Sequence, residues 1–254
     1  MKISPKKLNL LIFIIIAAVV QIILVIHLFD KDKKEKELKK KEYRENALLH
    51  FEKGSFQFAV DSFDKLIEID SENNANYILR GICYQRLGKF DLAEKDFTKV
   101  TELSPEKESG FYMLASLYYD TGDIEKAQNF ITKTLIINPG EPAAITLAGM
   151  IFAKKGDINE AIKFYDQAIS IKKDAKATYL QRGKAYFEIK EYEKAKNDFT
   201  SVVFYEPENA EAFLLRGKCF EALGLKQDAI RDFEQAKNLG NIDAENDIRR
   251  VKTL

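Results

Sequence analysis

Histidine and cysteine are scarce in this chain, which has two of each among its 254 residues and no tryptophan. Zinc sites need several such ligands close together, and neither His27 nor His50 has a cysteine near it in sequence. The sequence therefore argues against a zinc site, and we expect His50 to pack among apolar residues. In an extended array of helices, Cys83 and Cys219 would lie too far apart to form a disulfide, so we predict that both are buried free thiols.

Net charge is also absent. Forty basic residues balance forty acidic ones, so no overall positive field would hold the phosphates of nucleic acid. The glycine spacings of dinucleotide- and phosphate-binding loops do not occur, and no pair of carboxylates is marked out for acid–base chemistry. We therefore predict that the protein is not an enzyme, holds no cofactor or metal, and takes no small-molecule substrate.

One long run without charge lies near the start, over residues 8–29 (LNLLIFIIIAAVVQIILVIHLF). Its 22 residues would span the bilayer core of about 30 Å as a helix. The run exceeds the apolar region of about 7–15 residues in a cleaved signal peptide, and small residues are missing from its downstream flank. We predict a short basic tail (1–7) followed by a single-pass transmembrane helix (8–29).

The charged residues beside this run do not fix its orientation. More lysines follow it than precede it, which by the positive-inside rule places the remainder in the cytoplasm. Acidic residues are interleaved with those lysines, however, and a tail with three lysines is also hard to translocate. The side of the membrane stays open. Segment 30–39, which lacks glycine and proline, either extends the helix or forms a flexible tether.

A fixed period of 34 residues organises the rest of the chain. Position eight is always small, position twenty is always alanine, and position twenty-four is always large and apolar. Glycine at position fifteen in five windows and proline at position thirty-two in three are typical helix-ending signals. We predict an antiparallel helix pair in each window and a capping helix over 244–254. The windows are 40–73, 74–107, 108–141, 142–175, 176–209 and 210–243.

This pattern resembles the tetratricopeptide repeat family. In window 176–209 the matching residues are Tyr179, Gly183, Tyr186, Ala195, Phe199 and Pro207. The resemblance implies an all-α fold: a right-handed superhelical solenoid of about six helix pairs, whose first helices line a concave surface. With the amino-terminal segment, the predicted fold is this solenoid preceded by one transmembrane helix.

Arginine at position seven occurs together with aspartate at position twenty-three. Windows three and four replace both charges by apolar residues, namely Leu114 with Phe130 and Ala148 with Phe164. This covariation within one chain indicates that the two positions touch. We predict structural ion pairs, and not ligand sites, between Arg80 and Asp96, between Arg182 and Asp198, and between Arg216 and Asp232.

The resemblance also implies where partners bind, at positions two, five, nine, twelve and thirteen of the first helices. That face is apolar and aromatic in windows three and four and becomes charged in windows five and six, which suits an amphipathic or extended peptide. Alternatively, some of these aromatics pack against neighbouring first helices. The lysines and asparagines of chaperone-tail clamps are missing. The predicted partner-binding residues are Tyr112, Ser116, Tyr119, Thr146, Met150, Lys154, Lys184, Phe187 and Lys218.

Together these features predict a scaffold, anchored in a membrane through residues 8–29, that binds protein or peptide partners. One alternative is a self-assembling structural subunit of a membrane complex, which would be a homo-oligomer. A further alternative is the regulatory subunit of an enzyme.

Overall fold

A computed structural model of the chain describes the backbone of residues 5–253 and the side chains of residues 18–253. This part is all helical, with thirteen helices and no strand, as predicted for the repeat fold. The handedness of the solenoid stays a prediction. The helices are α1 (Pro5–Glu52), α2 (Phe56–Ile69), α3 (Asn74–Arg86), α4 (Phe90–Leu103), α5 (Ser109–Thr121), α6 (Ile124–Ile137), α7 (Pro142–Lys154), α8 (Ile158–Ile171), α9 (Lys176–Glu188), α10 (Tyr192–Tyr205), α11 (Ala210–Ala222), α12 (Lys226–Asn238) and α13 (Ala244–Thr253).

The first helix, α1, has 48 residues and includes segment 30–39. The segment is therefore helical, and ion pairs one turn apart, Lys36 with Asp32 at 3.0 Å and Lys39 with Glu35 at 2.7 Å, support it. The first helix of window 40–73 is the end of α1, without a break at Lys40.

No helix within the described residues is both long enough and apolar enough to cross a membrane. The predicted span 8–29 lies partly on residues 8–17, whose side chains fall outside the described part. Of the predicted basic tail 1–7, residues 1–4 lie outside the described backbone, and residues 5–7 belong to the start of α1.

The chain divides into two compact units, which meet in sequence between Lys99 and Val100. In the first unit, the end of α1 packs on α2, and α2 packs on α3. Ala47, Ala59, Phe63 and Cys83 form the centre of its core and are almost completely buried. The small residues predicted at positions eight and twenty thus lie where neighbouring helices approach.

In the second unit, each helix from α5 to α13 packs on the next, and first helices of successive pairs also touch. Within a pair, the glycine at position eight receives the aromatic ring at position twenty-four. A Cβ on Gly183 would lie 2.6 Å from Cε1 of Phe199, closer than two carbon atoms can approach. The sequence pattern therefore reports a direct contact between the two helices.

The first helices end in left-handed residues. Gly54, Gly88, Gly122 and Gly156 have φ between 70° and 89°, as expected for position fifteen. Window 176–209 has Lys190 at this position, and its φ is 64°. An L side chain there is strained, because its Cβ crowds the backbone.

The last helix, α13, covers the final pair. Ala244, Ile248 and Val251 are buried in one cluster with Ala229 and Phe233 of α12. Residues predicted as a cap thus close the apolar face that a last repeat would otherwise expose.

Candidate functional site

A groove lies on the second unit where α5, α7 and α9 follow one another. It encloses a cavity of about 640 Å³. We call it the first-helix groove. Its lining residues are Tyr112, Ser116, Tyr119, Asp120, Glu141, Pro142, Ala143, Thr146, Leu147, Met150, Lys172 and 174–178.

Aromatic and apolar side chains form most of the groove surface. Tyr112, Tyr119 and Met150 are all partly buried, and the buried Leu147 also lines the groove. Burial raises the pKa of Tyr112, and the nearby Glu141 carboxylate adds to the effect. Burial also raises the pKa of Tyr119, and the negative charge of Asp120 raises it further. Both phenols therefore stay neutral and offer hydroxyl groups beside apolar rings, the combination that is enriched at protein interfaces.

Two buried threonines join α7 to α9 at this groove. Oγ1 of Thr146 donates to the carbonyl oxygen of Pro142 at 2.7 Å and lies 2.8 Å from Oγ1 of Thr178. Because the Thr146 proton is used on Pro142, the hydroxyl of Thr178 donates to Thr146. The pair is satisfied internally, so it holds the two helices together and leaves the tyrosines and Met150 as the accessible contacts.

Charged residues at the amino-terminal ends of α7 and α9 border the groove. Glu141 caps α7 by accepting from the backbone nitrogen of Ala143 at 3.3 Å. Lys176 forms an ion pair with Glu206 at 2.9 Å, and this pair together with Asn209 lowers the pKa of Glu206. Lys172 and Asp174 complete a rim of mixed charge.

The structure brings five of the nine predicted partner-binding residues to one cavity: Tyr112, Ser116, Tyr119, Thr146 and Met150. Sequence reasoning missed Glu141, Lys172 and Thr178, which come from the ends of helices and from connections. These lie outside the five face positions, so position within a helix gave no signal for them.

The other four predicted residues do not line this cavity. Lys184 forms an ion pair with Glu211 at 2.7 Å, so its charge is already matched. Phe187 packs against the cluster of Ala195, Phe199 and Cys219. For Phe187 the structure favours the alternative, packing among helices. Lys154 is exposed and Lys218 is partly buried, and both stay predictions as binding residues.

The three arginines at position seven bind the aspartates of position twenty-three. Nε and Nη2 of Arg182 donate to the two carboxylate oxygens of Asp198 at 2.9 and 2.7 Å. Arg80 and Arg216 make the same two-pronged contact with Asp96 and Asp232. These guanidinium groups are occupied by the protein itself, so they are not ligand sites.

Arg182 has further partners that the sequence did not reveal. Its Nη1 donates to Asp166 of the preceding repeat at 2.6 Å, and its guanidinium lies over the rings of Tyr179 and Tyr186. Burial opposes the charge, but the hydrogen bonds to Asp198 outweigh it and raise the pKa of Arg182. Arg80 likewise binds Asp64 of the preceding repeat at 2.6 Å. Arg80 and Arg182 therefore each join two repeats.

Metal ligands do not cluster in the part of the chain that the structure describes, where no group of three or more histidine, cysteine or acidic side chains could hold an ion. Both cysteines are free and buried.

Family models of the tetratricopeptide repeat match most of the repeat region. A model described as TPR repeat matches residues 149–190, and two described as tetratricopeptide repeat match 180–241 and, in two copies, 75–107 and 109–140. No curated protein matches the sequence at a significant level.

Several solved structures share the fold. The APC/C hetero-tetramer Cut9–Hcn1 aligns with a TM-score of 0.72 and 17% identity over 86% of this chain and 46% of that one, so this chain spans about half of its length. Pseudomonas aeruginosa pilF aligns with a TM-score of 0.71 and 14% identity over 86% of this chain and 99% of that one. YrrB, described as a TPR protein with an unusual peptide-binding site, aligns with a TM-score of 0.57 and 18% identity over 77% of this chain and 100% of that one. These low identities establish likeness of fold alone.

Proposed function

We propose that this chain, which belongs to the tetratricopeptide repeat family, is a membrane-anchored scaffold that holds a segment of a partner protein in the first-helix groove. The observation that carries the proposal is the cavity of about 640 Å³ between α5, α7 and α9. Proteins with this fold are typically scaffolds for protein–protein interaction.

The surface of the groove favours a peptide that carries one large apolar or aromatic side chain. Tyr112, Tyr119 and Met150 provide an apolar contact surface, and the two phenol groups supply hydrogen bonds that fix the orientation of a backbone. The rim carries both signs of charge, through Glu141 and Asp174 on one hand and Lys172 on the other. We therefore expect charges of both signs beside the apolar residue of the bound segment.

The membrane anchor rests on the sequence of residues 8–29. Its described part supports the proposal, since the apolar side chains from Val19 to Phe29 are between 47% and 73% exposed. Such a surface on a long helix is costly in water and is covered when lipid surrounds it. The charged stretch that begins at Asp30 would then lie in the aqueous phase, with the repeats beyond it.

Site-specific photo-crosslinking tests the groove. A photoreactive phenylalanine analogue replaces Tyr112 in the full chain, and the matched control places it at Ile242, which is 88% exposed and does not line the groove. We expect one partner to be cross-linked in native membranes through position 112 and not through position 242. Combined replacement of Tyr119 and Met150 by serine should abolish this product while the helical circular dichroism is kept. A product that persists in this variant, or that forms equally from both positions, would refute the groove as the binding site.

Membrane fractionation tests the anchor separately. We expect the full chain to stay in the membrane pellet through an alkaline carbonate wash and to be released by detergent. Recovery in the wash would show that residues 8–29 do not span the bilayer. That outcome leaves the groove experiment unaffected, because its readout is the cross-linked partner.

A further inference from the structure

A second cleft lies between α6 and the pair α7–α8, at the place where other repeats hold an arginine. In window 176–209, Arg182 bridges Asp166 of the preceding repeat and Asp198 of its own. In window 142–175 the three equivalent positions hold Ala148, Thr132 and Phe164. This cleft therefore contains neither the guanidinium that fills its counterpart nor the carboxylates that bind it.

The result is a small apolar cavity of about 300 Å³. Ile131, Leu135 and Ile136 of α6 form one wall, while the rings of Phe152 and Phe164, stacked with centroids 5.2 Å apart, form the other. We call it the Ala148 cleft. It shares no lining residue with the first-helix groove, and no charged side chain lines it. The lining residues are Gln128, Ile131, Thr132, Leu135, Ile136, Ala148, Phe152 and Phe164.

The second unit also presents a phenylalanine that the protein itself leaves uncovered. Phe204 of α10 is 79% exposed, whereas Phe199 on the same helix is fully buried. Phe204 and Ile136, which is 77% exposed, occupy the same position in the repeat, two windows apart. The residues one turn before Phe204 on its helix, Thr200 and Ser201, are uncharged.

We infer that Phe204 of one copy inserts into the Ala148 cleft of a second copy, and that the reverse contact forms at the same time. Both contacts belong to one surface, as a two-fold dimer requires. The chemistry of the two surfaces matches, because no charged side chain lines the cleft and the ring that enters it is apolar. The second copy covers two apolar surfaces that the monomer exposes. The inference is independent of the proposed groove function.

Sedimentation of the full chain in detergent at several concentrations tests this dimer. Phe204→Ser removes the inserted ring. Ala148→Leu fills the cleft from within and recreates the combination that Leu114 and Phe130 form in the preceding window. We expect a dimer that each substitution weakens by about tenfold or more. The matched control Ile242→Ser removes another exposed apolar side chain, 88% exposed, and should leave the dimer unchanged. A chain that is monomeric at every concentration, or a dimer that survives both substitutions, would overturn the inference.

Disulfide cross-linking tests the register of the contact and does not depend on the fold tolerating a lost ring. Thr132→Cys places a thiol at the cleft, and Ser201→Cys places one a turn away from Phe204. Cys83 and Cys219 are fully buried and give little background. A mixture of the two variants should form a disulfide-linked dimer, whereas either variant alone should not. Equal cross-linking of a single variant would place another surface at the interface, and a different captured protein at Thr132→Cys would assign the cleft to that partner instead.

Discussion

The Arg182 guanidinium binds both carboxylate oxygens of Asp198, at 2.9 and 2.7 Å, and reaches Asp166 of the preceding repeat at 2.6 Å. Arg182→Leu leaves Asp198 buried without its partner, so we expect the free energy of unfolding to fall by about 3 kcal/mol. Adding Asp198→Phe should recover at least half of this loss, since Leu114 and Phe130 already form that combination. Urea unfolding of both singles and the double gives the answer. A double variant no more stable than the worse single would contradict the pairing as the cause.

Gly110, near the start of α5, lies against the backbone of α4. A Cβ on it would lie 2.8 Å from the backbone nitrogen of Thr101, and a backbone atom cannot rotate away as a side chain can. We therefore expect Gly110→Ala to lower stability by about 1–3 kcal/mol through overpacking. Ser109→Ala is the control at the adjacent position and should change stability little. The comparison is a denaturation midpoint for each variant, and an unchanged midpoint for Gly110→Ala would show that the helices can separate without cost.

Lys190 is the one non-glycine residue with positive φ among the described residues, at 64°. Because other repeats have glycine at this position, we expect Lys190→Gly to raise stability by about 1 kcal/mol. Lys190→Ala removes the same charge and keeps the strain, so it should bring no comparable gain. Thermal unfolding of the two variants side by side separates relief of strain from loss of charge. An equal gain in both would attribute the effect to charge.

The two thiols should be protected from alkylation. Burial raises the pKa of Cys83 to about 11 and that of Cys219 to about 12. Since the thiolate is the reactive form, labelling of the native chain at pH 8 should be at least about a hundredfold slower than in denaturant. The raised thiol pKa values add to the free energy of unfolding at any pH below the ordinary thiol pKa. This contribution is lost as the pH rises from there toward 11 and 12, because the unfolded chain releases the thiol protons first. Cys219→Ala should remove part of that alkaline loss, and rapid labelling of native protein would refute the burial.

The helical pairs could be predicted because each marker position reports one local contact. Gly183 is small since the Phe199 ring occupies the space beside it, and the same reason recurs every 34 residues. Gly110 escaped this reasoning, because its close neighbour belongs to the preceding pair. Lys190 escaped it because nothing in a lysine marks a left-handed residue.

About half of the predicted partner-binding residues line the first-helix groove. The others do not, because contacts between successive helix pairs could not be predicted from the sequence. Position within a helix selects a face, and that face correctly brought Tyr112, Tyr119 and Met150 to one cavity. It does not state how closely the next helix pair approaches, and this distance decides whether Lys184 stays free or meets Glu211. The second partner of Arg182 was missed for the same reason, since Asp166 lies in the preceding repeat.

The unbroken course of α1 couples rotation to sequence length. An α-helix turns about 100° per residue. The angle around the helix axis between Val19, in the apolar end of α1, and Ala47, in the core of the first unit, is therefore set by the number of residues between them. One residue inserted after Leu38 would turn the repeats by about 100° around the helix axis relative to the apolar end. Four inserted residues would bring them back to within about 40° of the original direction. The number of residues in the charged stretch of α1 thus sets how the first repeat is rotated relative to the apolar end, whatever the composition of that stretch.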